Sequence, residues 1–184
     1  MKTTLACVLA VVSVSLVFAE EPPTKTIQAP EGPVAVKSKT VEATPQQVQP
    51  ASAEDVAAFK KEAARADEFI REYLPGDNPT DLKNLDYAFR LWQSDKKSRY
   101  SADDVIDILG SYLGSKVVED FGMEWVVVQD EQGTDFAVRS KKVEVMAFPF
   151  ATVGKRVDKE EYDFMVGVYR AIEDAQKGAD HAKQ

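Results

Sequence analysis

One cysteine, Cys7, and one histidine, His181, stand among 184 residues, so chemistry in this chain must rest on its 31 carboxylates, its hydroxyls and its cations. The carboxylates gather in three places. Asp130, Glu131 and Asp135 surround Gly133 and offer the hard oxygen ligands that calcium takes. A calcium loop of the EF type alternates its ligands around a glycine and ends on a later glutamate. Here Gln132 and Gly133 interrupt the series, and a hairpin turn accounts for the residues. Glu119, Asp120 and Glu124 supply the paired acids a glycosidase uses, provided one is desolvated enough to keep its proton near neutral pH. Asp103 and Asp104 follow Ser101 and are explained by the start of a helix. On this reading no catalytic, cofactor-binding or metal-binding residue is assigned, and no cofactor is called for.

The cations are equally sparse as motifs. Lys155-Arg156 can meet an anion, since guanidinium groups suit carboxylate and phosphate, or pair with the acidic body of the protein. The densest other basic stretches, Lys96-Lys97-Ser98-Arg99 and Arg139-Ser140-Lys141-Lys142, are short and read as solvated loops. A formal charge of −8, with no offsetting basic block, disfavours nucleic acid and an anionic membrane surface as partners.

The first residues carry an address. Met1-Lys2 gives a short positive start, Leu5 to Phe18 is apolar apart from two serines, and Val17-Phe18-Ala19 ends in the small residue a signal peptidase reads. Residues 1–19 are therefore expected to be a signal peptide cleaved after Ala19, because the apolar run is shorter than the roughly 20 residues of a membrane span. Cys7 sits too early in the run to receive a lipid and leaves with it. The mature chain then has no thiol, which excludes disulfides, thiolate zinc and a cysteine nucleophile. His181, near a polar terminus, is poorly placed for a triad or a histidine metal site.

Residues 20–51 hold six prolines and neither leucine nor an aromatic residue, too little apolar surface to offset ordering, and are expected to be a disordered linker or tether. Residues 52–176 read as one domain, followed by a frayed tail at 177–184. A first helix should start at Ser52, capped with Asp55 three residues on, and stop before Pro75-Gly76. A second is expected from Thr80 or Asp81 to about Trp92. The third starts at Ser101 and, with Val105, Ile106, Ile108, Leu109, Leu113 and Val117 over a wide arc, should be the most buried. Gly110 and Gly114 along its edge cost roughly 1 kcal/mol each relative to alanine, so something must pack there; another backbone is the natural candidate.

After Phe121-Gly122 the period changes from helical to strand-like. Trp125-Val126-Val127-Val128, a turn at 130–133 and Phe136-Ala137-Val138 make a hairpin. Val143 to Phe148 is expected as a third strand and Ala151 to Val157 as a short fourth. The first strand is apolar on both faces, so it should be central, paired on its second side with Thr152 to Val157. A last helix is expected from Asp158, with Glu161 three residues on and Tyr162, Met165, Tyr169 and Ile172 on one face. The fold class is thus α+β, three or four helices packed on a small antiparallel sheet of three to four strands, with the last helix C-terminal. Phe148-Pro149-Phe150 is either a partner-docking edge or the buried end of a strand.

Leu109-Gly110, Gly114, Gly122-Met123-Glu124-Trp125-Val126-Val127, the turn from Asp130 through Gly133 to Asp135, Phe148-Pro149 and Lys155-Arg156-Val157 fall in an order that resembles the bacterial family called domain of unknown function 3806, over about residues 85–174. The resemblance implies a bacterial α+β protein and supplies no catalytic residues. The expectation is a periplasmic, or else secreted, non-catalytic module that binds another envelope protein or a cell-wall component, with no membrane insertion after cleavage. Two alternatives stand beside it: a carboxylate-dependent hydrolase of glycan or peptidoglycan, and an inhibitor or chaperone-like partner of another exported protein.

Overall fold

The computed structural model describes residues 28–29, 32–33, 46–131, 133–157, 159 and 161–181. The expected signal peptide lies outside the described residues, as does most of the expected linker. In chain order the elements are β1 (Gln28–Ala29), β2 (Gly32–Pro33), β3 (Gln47–Pro50), α1 (Ala53–Ala64), α2 (Ala66–Tyr73), α3 (Leu82–Ser94), α4 (Ala102–Phe121), β4 (Glu124–Asp130), β5 (Gly133–Arg139), β6 (Met146–Ala147), α5 (Pro149–Val157) and α6 (Met165–His181). The class is α+β. Its main sheet is antiparallel in the order β3-β4-β5-β6, and β1 and β2 form a separate two-stranded ladder.

Helix starts follow side-chain chemistry. The Ser52 hydroxyl accepts the Asp55 N–H at 3.1 Å while the Asp55 carboxylate accepts the Ser52 N–H at 3.2 Å, a reciprocal cap that satisfies two orphan donors. Arg65 alone separates α1 from α2, so the single helix expected from Ser52 to Leu74 is present with a local tightening, the Arg65 N–H bonding to the Glu62 carbonyl. The Asp81 carboxylate accepts the Asn84 N–H at 2.8 Å and starts α3. α4 begins with the Ser101/Asp104 box and ends on Gly122 at φ +63°, a left-handed cap that glycine adopts without strain.

α4 is the hub. It packs against α1, α2, α3, α5, α6, β4 and β5, with Val105, Ile108, Leu109, Leu113 and Val117 buried as its sequence leads one to expect. Trp125, Phe59, Phe136 and Phe150 form an aromatic cluster between the sheet and the helices, with Phe59 4.5 Å from Trp125 and 4.9 Å from Phe136 between ring centroids. Val126, Val128, Ala137 and Phe148 make a second, smaller cluster. β4 is thus apolar on both faces, as expected.

Five expectations need correction. The second neighbour of β4 is β3, not Thr152 to Val157: Val48 pairs with Val128 and Pro50 with Val126, and the Ala51 N–H donates to the Trp125 carbonyl at 3.0 Å. Residues 47–50, expected in the linker, therefore belong to the sheet. Bonding alternates along an antiparallel pair, so Pro50 sits where the peptide nitrogen faces away from β4 and its missing N–H costs nothing. Residues 149–157 are helical because Pro149 takes the first helical position, which its fixed φ suits, and Phe150, Val153 and Val157 recur at helical spacing. The third strand shrinks to Met146–Ala147, because the Ser140 hydroxyl accepts the N–H groups of Lys142 and Val143 and turns the chain there. The last helix starts at Met165 rather than Asp158, leaves Tyr162 outside and continues past Gln176 to His181. Asp158 and Glu160 lie outside the described residues.

Candidate functional site

No cluster of the expected acids forms a metal centre: among the described residues, no group of three histidine, cysteine, aspartate or glutamate side chains is placed to hold an ion. Asp130 and Asp135 share one face of the β4–β5 hairpin as diagonal neighbours, while Glu131 is exposed in the turn. Asp130 accepts from the Gln46 side-chain amide at 3.3 Å. Burial raises the Asp135 carboxyl above the ordinary range, opposed by the Phe136 N–H it accepts at 2.7 Å and by the charge of Lys155, and reinforced by Asp130.

The other acids are held apart by separate cations. Glu124 is gripped by Arg139 at 2.7 Å and Lys141 at 3.2 Å, which lower its pKa. Asp120 meets Lys116 at 2.6 Å and accepts the Tyr169 O–H at 2.7 Å; partial burial works against the charge, yet those two donors keep its pKa below the ordinary value. Tyr169 in turn is pushed up to about 12 by burial and by its bond to Asp120. Glu119 is exposed. Neither Asp120 nor Glu124 is disposed to hold a proton near neutral pH, as a general acid must.

Arg156 is tied inside the fold. Its guanidinium donates to the Thr152 carbonyl at 2.7 Å, lies 4.7 Å over the Phe164 ring and reaches Glu161 at 3.8 Å. Phe148 and Pro149 are buried, so this stretch is the inner end of a strand leading into α5. Phe150 explains Gly110: a Cβ there would meet its ring at 2.6 Å and its Cα at 3.0 Å. At Gly114 a Cβ would overlap the Trp125 indole and touch Pro149 at 3.0 Å. The glycine pair is a seat chiefly for two aromatic side chains, where a neighbouring backbone was expected.

Two features escape the sequence reading. Asp86, on the buried face of α3 and 2% exposed, accepts the N–H groups of Phe164 (3.1 Å) and Met165 (2.9 Å) on Oδ1 and that of Val166 (3.2 Å) on Oδ2. It is the cap of α6, supplied from α3. Burial raises its pKa above the ordinary 3.8 despite the three bonds, with Asp163 adding to the rise. A carboxylate among Leu85, Ala88 and Phe89 was the available signal. On the outer side of the same helix, Tyr87 is 51% exposed, the one exposed large hydrophobic among the described residues, and the neighbouring Arg90 guanidinium lies 5.2 Å over the Tyr162 ring. No helix among the described residues is long and apolar enough to cross a membrane.

Fold and site together define a small α+β domain in which Ser52, Asp81, Asp86 and Ser101 cap helices and Asp120 and Glu124 pair with cations. Residues 84–169 match the family described as Domain of unknown function (DUF3806), in agreement with the resemblance seen in the sequence. No curated protein matches the chain. A solved structure from Bacteroides thetaiotaomicron VPI-5482 is similar to it with a TM-score of 0.53 at 16% identity, over 74% of this chain and 50% of that one. The likeness is one of fold, and this chain spans half of that protein's length.

Proposed function

We propose that the chain is an exported, non-catalytic interaction module of the bacterial cell envelope, periplasmic and held by the proline-rich stretch ahead of β3, with the outer face of α3 turned to another envelope protein. The observation that carries the reading is Tyr87. An exposed tyrosine beside an arginine stacked on Tyr162 has the composition of a protein-binding hot spot, where Tyr offers large contact area at small entropic cost and Arg a planar guanidinium that stacks and hydrogen-bonds. The paired and ionised state of Asp120 and Glu124 supports the same reading from the other side.

A photo-crosslinking residue at position 87, placed in intact cells, tests it. A discrete adduct from position 87 that is absent with the probe at position 97 is the expected result, weakened when residues 20–45 are deleted. No specific adduct from position 87 would overturn it. An adduct with one exported protein that stays bound through purification would point to an inhibitor or chaperone-like role.

One observation favours the hydrolase reading. Asp135 is a carboxyl held above its ordinary range next to a second carboxylate, Asp130, as an acid–base pair requires. Turnover of peptidoglycan or a soluble glycan by the purified protein, abolished by Asp135→Asn, would establish it in place of the binding reading.

A further inference from the structure

We propose that Asp86 is a proton-linked latch that fastens α6 to α3. The residue before Met165 is Phe164, which has no side-chain acceptor, and Asp163 before it sits at φ +58°, so α6 gets its first-turn acceptor from another helix. Three donors of that turn converge on one buried carboxyl group. Phe164, edge-on to Phe89 at 5.4 Å, closes the contact against water. Release of α6 therefore exposes Asp86, and exposure of Asp86 leaves three amides without a partner.

Among the described residues, the charges around the latch are few. Asp163, in the segment entering α6, repels Asp86. Arg90, one turn along α3, is stacked on Tyr162. Arg156, from α5, is engaged by Thr152, Phe164 and Glu161. From α4, Lys116 and Asp120 reach Tyr169 further along α6. None of the bonds made by these cations goes to Asp86, so its charge is balanced by backbone dipoles of the α6 N-terminus.

The direction follows from linkage. Burial outweighs the three bonds and holds the folded-state pKa above 3.8. Opening α6 returns the group to water and releases its proton. Acid therefore tightens the latch: its contribution is full below 3.8 and is lost as pH rises through the folded value.

Hydrogen exchange of the α6 amides as a function of pH, corrected for intrinsic exchange and compared with the amides of α4 in the same protein, tests the latch. In the wild type the α6 opening constant should fall by up to about tenfold per pH unit between the folded-state pKa and 3.8, while α4 does not follow. Asp86→Asn, neutral at every pH and still able to accept the Phe164 and Met165 N–H groups, should abolish that dependence. Asp163→Asn, which keeps a residue tolerant of positive φ and removes the repelling charge, should move the dependence to lower pH. Identical profiles in wild type and Asp86→Asn would overturn the latch, as would α6 exchange that tracks α4 at every pH. Should Asp86→Asn fail to fold, an unmoved profile in Asp163→Asn would overturn it equally.

Discussion

α4 and α6 begin in opposite ways. Ser101 and Asp104, three residues apart, exchange the hydrogen bonds that cap the start of α4 within its own first turn. α6 starts on a carboxylate 78 to 80 residues earlier in the sequence. The first device forms as soon as its helix nucleates; the second exists only after α3 and α6 have docked. α4 can therefore be the scaffold on which the domain is assembled, and α6 the element whose presence reports that assembly is complete.

The largest way to break this contrast is Asp86→Ala. It strips the acceptor from three amides at a site 2% exposed and should cost about 2–4 kcal/mol, the penalty for unsatisfied buried donors less the relief of removing a disfavoured charge. Chemical denaturation read by far-UV circular dichroism measures it. A loss below 1 kcal/mol, or one shared evenly by α4 and α6 in hydrogen exchange, would mean that the cap is not what holds α6.

The next is Gly114→Ala, which asks whether α4 is as self-sufficient in its middle as at its start. The added methyl would overlap the Trp125 indole and press on Pro149, and strain of this kind costs about 1–3 kcal/mol. The gain in helix propensity returns about 1 kcal/mol, so a net loss of up to about 2 kcal/mol is expected, with Trp125 fluorescence shifted. A stabilised variant would show that the ring can step aside.

Ser101→Ala should cost about 1 kcal/mol, since the Asp104 carboxylate still accepts the N–H at position 101 when the hydroxyl is gone. Its exchange signature should be confined to the first turn of α4. Spread of the effect into α6 would erase the distinction between a local and a borrowed cap.

The same distinction decides what was legible in the sequence. Ser52/Asp55, Ser101/Asp104 and the β4–β5 turn are written within a few residues of where they act and are legible there, whereas Asp81 is left open with Thr80 and Gly122 marks only a change of period. β3 was missed because Gln47, Gln49 and Pro50 have the composition of a solvated linker, and only pairing with Val126 to Gln129, far along the chain, makes them a strand. Residues 151–157, expected as a strand, are misread because Val153 and Val157 suit either period, and the choice rests on Pro149 and the seat that Gly110 offers Phe150. Asp86 carried a weaker signal still, a charge at an apolar position, whose meaning depends on a partner more than seventy residues away. Of the acids singled out, Asp104 caps a helix, Asp120 and Glu124 are paired, Asp130, Glu131 and Asp135 lie on a hairpin and Glu119 is exposed, because proximity in sequence does not determine whether carboxylates converge.

The smallest expected effect tests whether α4's start is truly independent of its neighbours. Asp104 reaches one residue outside its own helix, Arg65, whose guanidinium lies 3.2 Å away and also holds Glu62. Bonds from Ser101 lower the Asp104 pKa first, and Arg65 adds to them. Asp104 therefore contributes stability above its unfolded-state value that is lost as pH falls through its lowered folded value, the reverse of Asp86. Both members of the pair are about a third exposed, so solvent screens it and Arg65→Met should cost no more than about 0.5 kcal/mol, less in high salt. The acid limb of the stability curve should move up only slightly, because the Ser101 bonds remain. A loss well above 1 kcal/mol, or one insensitive to salt, would show that α4 leans on α1 for its start, and the local cap would then be only part of what begins the helix.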